Sequence, residues 1–250
     1  LNYGPDTLRA RAATVDFSLL AANVTYPSQA EPVFQSHIIV VRRGVRVLLT
    51  GLVSPGVAQT VHRLRAKDVR ITPPAEALQQ VFDGVARGGD YDLAVVLTHM
   101  PPLEALELAR SFPEVELFVA GDNPMEHVLG GSMHIIELAS GARVVSTPER
   151  GAFVGRVELS LGRDAQGGLQ ILSIDTGLVP VDESIDADPE TAMRIALLEE
   201  AYARDRQALV ATIDGSIRDG PQFVCDLMRQ AGRTEVAVIN LGALSPVVPT

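Results

Sequence analysis

Two polar loops follow apolar runs of the sequence, and both contain side chains able to do chemistry. His99 comes shortly after a run that ends at Leu97, and Asp122 follows a second run that ends at Ala120. In layered α/β folds, sites are usually built in the loops at the carboxyl ends of strands. An imidazole there can be a metal ligand or a structural side chain, and an aspartate after glycine is also a common turn former. The residues alone leave both interpretations open.

The segments that must position these loops alternate between strands and helices. Short apolar runs predict strands, and apolar residues at helical spacing predict helices. On these criteria the sequence predicts strands at 17–24, 36–41, 45–52, 91–97 and 115–120, and helices at 75–87 and 103–110. The second and third strands form a hairpin through Arg42, Arg43 and Gly44, with glycine at the tight position. The continuously apolar strand before His99 is typical of a sheet covered on both faces.

After the second polar loop the pattern changes to successive strands and then to helices. A meander of strands is predicted at 133–138, 143–146, 153–161 and 169–174. The acidic stretch 182–188 then marks a boundary, and Asp188 is the expected N-cap of a helix at 189–212. A helix at 221–231 and a strand at 235–240 follow. These two elements are too small to bury their own apolar faces. We therefore expect a following domain that was cut away or sits elsewhere.

Charge and composition exclude several classes of function. The formal net charge is −10, and no basic stretch is long enough to neutralise a row of phosphates, which argues against nucleic acid as a partner. No apolar run approaches the roughly 20 residues of a membrane span. Cys225 is the single cysteine, so an internal disulfide is excluded, and its apolar helical neighbours favour a buried structural side chain. Because the chain begins at Leu1 and has no signal sequence, we expect that a segment was removed or that this is an internal piece.

Several segments match one known family in the same order. They are 1–8 (LNYGPDTL), 20–24 (LAANV), 47–55 (VLLTGLVSP), 96–100 (VLTHM), 145–161 with Gly155-Arg156, the helix from Pro189, and 223–244 (FVCDLMRQAGRTEVAVINLGAL). Together they resemble the 5′-nucleotidase branch of the calcineurin-like metallophosphoesterases over nearly the whole chain. The resemblance implies an α/β fold, a layered β-sandwich flanked by helices. Residues 1–183 would be the C-terminal portion of that domain, 184–212 an inter-domain linker helix, and 213–250 the start of a second α/β domain.

The resemblance also implies a mechanism and a set of metal ligands. Two divalent ions, Mn, Zn or similar, about 3.5–4 Å apart, would clamp the phosphoryl group and activate a water. His99 stands where a ligand histidine is expected, Asp122 replaces the first histidine of a Gly-His-x-His loop, and Pro124 stands at the second. His127 would substitute through a different loop path. The family's phosphate-contacting arginine is absent at 242–245 (GALS), and its Asp-x-His, Gly-Asp-x-x-Asp and Gly-Asn-His-Glu motifs are not in this sequence.

Three hypotheses follow from these matches and departures. The first is a periplasmic or secreted phosphohydrolase of nucleotides or related small phosphate esters, whose metal site is completed by a missing N-terminal half or a partner chain. The second is a catalytically silent scaffold or binding module of a larger envelope complex, which holds no metal. The third is a related hydrolase with a non-nucleotide substrate and a changed loop at 122–127. Whether the chain is itself an enzyme stays open, because the ordered matches favour the hydrolase and the substituted motifs favour the scaffold.

Overall fold

The computed structural model of the chain describes residues 4–27, 31–57, 69–122, 134–147, 151–165, 168–207 and 220–238. The chain divides into two compact units, Leu1–Ile185 and Asp186–Thr250. In the first unit the described strands are β1 Val24–Thr25, β2 His37–Arg42, β3 Val45–Val53, β4 Arg70–Ile71, β5 Leu93–His99, β6 Leu117–Ala120, β7 His134–Glu137, β8 Arg143–Ser146, β9 Phe153–Arg163 and β10 Leu169–Pro180. Its described helices are α1 Pro5–Ala12, α2 Pro74–Asp83 and α3 Pro102–Ser111. The assignment of 1–183, 184–212 and 213–250 to named domains stays a prediction.

Six of these strands form one mixed sheet in the order β2-β3-β5-β6-β8-β7. The four inner strands run parallel, and β2 and β7 pair antiparallel at either side. The register aligns Leu52 with Thr98, Thr98 with Ala120, and Ala120 with Ser146. The carboxyl ends of the parallel strands therefore meet along one edge of the sheet, called the carboxyl edge below. The mixed α/β architecture predicted from the sequence is confirmed.

Helices α2 and α3 pack on one face of this sheet and form the core with it. Each begins with proline in its first turn, where a missing N–H leaves no helical hydrogen bond unmade. In α2, Ala77, Leu78 and Val81 are buried along one stripe of the helix. They belong to one cluster with Leu48 and Val96 of the sheet, both 0% exposed. Burying one leucine or valine side chain stabilises a fold by about 1.5–3 kcal/mol, so this face holds the sheet and helices together.

The opposite face of the sheet is covered only in part by described residues. Leu93 and Leu117 are buried there, near the amino ends of β5 and β6, whereas Leu97 is 41% exposed. The expectation that β5 is covered on both faces is therefore wrong for its carboxyl half, within the part of the chain that the structure describes. A continuous apolar run shows that a strand can be buried on both sides, but it does not identify what covers it.

The strand predicted at 17–24 is also wrong, because only Val24–Thr25 forms a strand, which pairs with β4. Phe17 is 63% exposed, so the apolar composition there did not mean burial. The segment lies instead against β3, where the Ala22 amide donates to the Gly51 carbonyl over 2.8 Å. This close approach needs glycine, since a Cβ at residue 51 would come within 2.2 Å of the Leu20 carbonyl oxygen.

Asn23 fixes the same segment to the end of β3 through its side chain. It is 0% exposed, and its Nδ2 donates to the carbonyls of Val53 and Thr72 at 2.8 and 3.0 Å. Its Oδ1 accepts the Val53 amide at 2.9 Å. The side-chain amide thus bonds Val53 as a neighbouring strand would, which is why these residues are ordered against β3 without forming a strand.

The predicted hairpin between β2 and β3 is confirmed. Arg42 pairs with Val45, leaving a loop of two residues. Those residues, Arg43 and Gly44, have φ values of +50° and +80°. Positive φ at both positions gives the turn whose twist matches two antiparallel strands, and glycine adopts it without strain.

The predicted four-strand meander is wrong in its middle, because β7 pairs with β8 and β9 with β10, both antiparallel, but β8 and β9 belong to different sheets among the described strands. Strand β8 pairs parallel with β6, and β7 lies outside β8. Val144 and Val145, which point to opposite faces, are both buried, as expected for a strand inside a sheet. Strands β9 and β10, of 11 and 12 residues, pair antiparallel with each other as a ribbon, and among the described strands neither pairs with a third.

The second unit contains two described helices, α4 Pro189–Gln207 and α5 Gly220–Gly232. The predicted N-cap of the first is confirmed, since the Thr191 amide donates to the Asp188 carboxylate at 2.8 Å. Residues 235–238 form no strand, so the strand predicted at 235–240 is wrong where it is described, and its last two residues lie outside the described ranges. A single segment without a neighbouring strand has no ladder to hold it extended. Within the described ranges, no helix has the length and apolar character needed to cross a bilayer.

Candidate functional site

The carboxyl edge of the sheet brings together two of the three predicted site residues. His99 is the last residue of β5, and Asp122 lies two residues after β6 ends. Because Thr98 pairs with Ala120 and the Gly121 amide donates to the Thr98 carbonyl over 2.8 Å, His99 and Asp122 follow adjacent strands at the same edge. His99 is exposed and Asp122 is half-buried, so both are accessible from this edge.

His127, the third predicted residue, lies outside the described residues, and its place relative to the edge stays a prediction. His134 is described as the first residue of β7, through its backbone. His37 starts β2, and its ring nitrogen is 3.0 Å from the Ser36 hydroxyl. Because β2 is antiparallel to β3, His37 lies opposite Thr50, three residues before β3 ends, and it already has a local partner.

The backbone that presents His99 is held from both sides. Its carbonyl accepts the Ser54 amide at 3.0 Å, directly beyond the end of β3. The next residue, Met100, is 0% exposed in the core. The Ser54 hydroxyl donates to the carboxylate of Glu104, in the first turn of α3, at 2.7 Å. Neither Ser54 nor Glu104 was predicted from the sequence, although a serine after a predicted strand and an acidic residue in a helix's first turn are recognisable signals.

Ser146 places a further polar group at this edge. It ends β8, pairs with Ala120, and is 1% exposed. Its hydroxyl has no hydrogen-bond partner. In the described part of the chain, this is true of no other buried polar atom of a side chain. Buried hydroxyls normally have a partner, so this one has unused capacity beside the β6 and β8 ends.

The amino edge of the sheet differs, because its charges neutralise one another. The Arg46 guanidinium meets the Asp92 carboxylate at 2.7 Å and also donates to the Gly88 and Gly89 carbonyls. Hydrogen bonds from the Arg46 side chain, and then from its backbone amide, lower the pKa of Asp92 to about 2. Arg46, Gly88 and Asp92 line an open cleft of about 590 Å³. With its donors taken by protein acceptors, Arg46 ties the turn before β5 to β3.

The donor chemistry of the carboxyl edge fits part of a metal site. Imidazole and carboxylate groups both bind borderline and hard divalent cations. A metal ion needs at least four donors in most protein sites, and two-metal sites need more. Within the described ranges, no group of three or more His, Cys, Asp or Glu side chains could hold an ion. His99 and Asp122 thus fit two positions of such a site, whose other donors would have to come from residues that the structure does not describe or that lie outside this sequence.

Comparison with known proteins gives low-identity relatives of much greater length. No protein-family model matches the chain. The UshA protein of Yersinia enterocolitica is 21% identical over 216 residues, which cover 77% of this chain and 39% of UshA. The endonuclease YhcR of Bacillus subtilis is 24% identical over 248 residues, covering 92% of this chain and 19% of YhcR. The chain therefore spans less than half the length of either relative.

A solved structure agrees with the sequence comparison. The 5′-nucleotidase precursor from Thermus thermophilus superposes with a TM-score of 0.60 and 25% identity, over 85% of this chain and 42% of that protein. The matched segments, the mixed α/β fold and these likenesses agree. The chain is related, at low identity and over part of their length, to the UshA-like 5′-nucleotidase branch of the metallophosphoesterases.

Proposed function

We propose that this chain forms one side of the metal site of a 5′-nucleotidase-type phosphoesterase. The observation that supports it is the placement of His99 and Asp122 at the ends of adjacent parallel strands, accessible at one edge of the sheet. His127, five residues after Asp122 in the sequence, is the proposed third donor. The remaining ligands would come from a half of the protein, or a partner chain, outside this sequence.

In this proposal the residues of this chain bind and orient, and bound divalent ions supply the activation of water and the stabilisation of phosphoryl charge. His99 offers an imidazole from the end of a strand whose backbone is fixed on both sides. Asp122 adds a carboxylate from the neighbouring strand end. Rigid strand ends are suited to such a site, because a metal site loses affinity when its donors must first be ordered.

The proposed substrate is a nucleotide or a related small phosphate ester. One relative is called an endonuclease, but the net charge of −10 opposes close approach of a polyanion. A small ester needs few phosphate contacts and tolerates such a surface better. A periplasmic or secreted location belongs to the same proposal, and the resemblance to 5′-nucleotidases of that compartment supports it.

A catalytically silent scaffold is the alternative function, and one sequence observation favours it. Residues 242–245 read GALS where the family has Gly-Gly-Ile-Arg, so the arginine that would contact phosphate is replaced. In that case the fold would persist as a binding module of a larger complex, and His99 would be an ordinary surface histidine.

Metal content of the native protein separates the two functions. We expect close to two tightly held transition-metal ions per chain by elemental analysis, and phosphate-ester hydrolysis that a chelator abolishes. His99→Ala should weaken metal binding by more than the roughly 10–100-fold that loss of an outer-sphere partner costs. His37→Ala is the matched control, since it removes an imidazole that already has a local partner. No metal above background, or equal affinity in the two variants, would contradict the proposal and leave the scaffold.

A further inference from the structure

Ser54 contacts both ends of the short loop that joins His99 to helix α3. Its amide donates to the His99 carbonyl over 3.0 Å, and its hydroxyl donates to Glu104 Oε2 over 2.7 Å. The same hydroxyl oxygen accepts the Gly56 amide at 3.1 Å, which fixes the direction of the O–H group. Ser54 is 7% exposed, so these bonds are shielded from competing water.

The loop between these two contacts has little freedom of its own. Met100 is 0% exposed in the core, and Pro101 and Pro102 each have φ restricted by their rings. Glu104 lies in the first turn of α3, which begins at Pro102. Residues 99–104 and Ser54 therefore form a closed unit, in which the end of β5 and the start of α3 are both bonded to the same serine.

Contacts that join the start of α3 to the end of β5 could serve only to stabilise the fold. Two features of the Ser54–Glu104 pair favour a role at the candidate metal site instead. The Ser54 amide is bonded to the carbonyl of the residue that offers the candidate ligand, and not to an earlier residue of β5. The second contact is a hydroxyl–carboxylate hydrogen bond, which is short and strong compared with a bond between neutral groups. In metal sites, outer partners that bond a ligand's side chain affect metal affinity without touching the metal. This pair would act one step further out, through the backbone of His99.

We propose that Ser54 and Glu104 are positioning residues that hold His99 in the orientation needed to bind a divalent ion. This inference rests on the proposed function, because it assigns the pair a task at that same site. The pair acts through the backbone of His99 and the start of α3. Loss of either member keeps the histidine but removes the bond between the end of β3 and the start of α3, so the backbone that presents the imidazole can shift.

The test measures Mn²⁺ affinity by calorimetry in the native protein and in four variants. Ser54→Ala and Glu104→Ala each remove the hydroxyl–carboxylate bond, and we expect each to weaken Mn²⁺ binding about tenfold. Glu104→Gln keeps an oxygen that can accept the Ser54 hydroxyl, so it should retain most of the affinity. Glu107→Gln changes an exposed carboxylate on the same helix and serves as the matched control.

A second readout is the hydrogen-exchange rate of the Ser54 amide, which reports the bond to His99 in the absence of metal. We expect faster exchange in Glu104→Ala and unchanged exchange in Glu107→Gln. If exchange rises while Mn²⁺ affinity stays at the wild-type value, the pair is merely structural and the positioning role is wrong. If the wild-type protein binds no Mn²⁺, or His99→Ala binds it equally well, the proposed function itself fails, and the inference with it. Should Glu104→Ala not fold, Ser54→Ala against Glu104→Gln gives the same comparison.

Discussion

The close approach at Gly51 gives a sharp test of how the N-terminal segment packs on β3. In Gly51→Ala the new Cβ would lie 2.2 Å from the Leu20 carbonyl oxygen and 2.7 Å from its carbonyl carbon. A carbon–oxygen contact is ordinarily about 3.3 Å, so the Leu20 backbone must move by about 1 Å. That movement breaks the bond from the Ala22 amide to the Gly51 carbonyl and loosens the buried Ala21 and Ala22. Adding about 1–3 kcal/mol of overpacking to about 1 kcal/mol for the lost bond gives a cost of about 2–4 kcal/mol.

Urea and thermal denaturation with Gly84→Ala as the control measure this cost. At Gly84 the backbone is helical, with φ at −91°, and a Cβ would meet nothing closer than the Val81 carbonyl oxygen at 3.5 Å. Alanine there should leave stability unchanged or raise it by about 0.4–1 kcal/mol. Gly51→Ala should lower the thermal midpoint by roughly 5–15 °C. Equal midpoints for the two variants would mean that the segment does not press on β3 at Gly51, and the account of its packing would be refuted.

Two further changes test the polar ties of the first unit. Asn23→Asp should lower the free energy of unfolding by about 3 kcal/mol, because a carboxylate cannot donate to the buried Val53 and Thr72 carbonyls; an unchanged urea midpoint would contradict this. Arg46 lowers the pKa of Asp92 from an ordinary 3.8 to about 2, so the stabilisation from this pair is complete above pH 3.8 and is lost as the pH falls toward 2. Asp92→Asn should therefore flatten the acid-unfolding profile in that window and cost only about 1 kcal/mol at neutral pH, since the pair is partly exposed; a profile identical to wild type would show that the pair adds nothing.

Local patterns predicted the elements whose structure is decided locally. The β2–β3 hairpin followed from a short turn with glycine, and helices α2 and α3 followed from apolar residues at helical spacing. Helix α2 ends at Asp83 and not at the predicted residue 87, because Gly84 turns its amide back to the Val81 carbonyl. The placement of His99 and Asp122 at strand ends was likewise predictable, since it needed only the lengths of two apolar runs.

Long-range contacts account for what the sequence did not reveal. The 17–24 segment looked like a strand because its residues are apolar. It packs on β3 through the Asn23 side chain and the close approach of Leu20 to Gly51 instead of through a strand ladder. Strand β8 looked like part of a meander, whereas its parallel partner β6 lies more than twenty residues earlier in the chain. The Ser54–Glu104 bond joins residues separated by 50 positions. The spacing of apolar residues within a short stretch of sequence does not predict such pairings, because each one depends on how elements far apart in the chain pack together.

The β9–β10 ribbon has a consequence for handling the protein. Each of its long strands has an outer edge that no other described strand pairs with, which leaves backbone amides and carbonyls able to accept a further strand. Val154 is 57% exposed and Leu172 64%, so apolar side chains stand beside those edges. At high concentration such edges favour edge-to-edge association between copies. Arg156 and Asp175 lie 3.5 Å apart and neutralise each other, so this pair adds little repulsion against it. Produced by itself, this chain should be handled dilute, and replacing Val154 with lysine is the first change to make against aggregation.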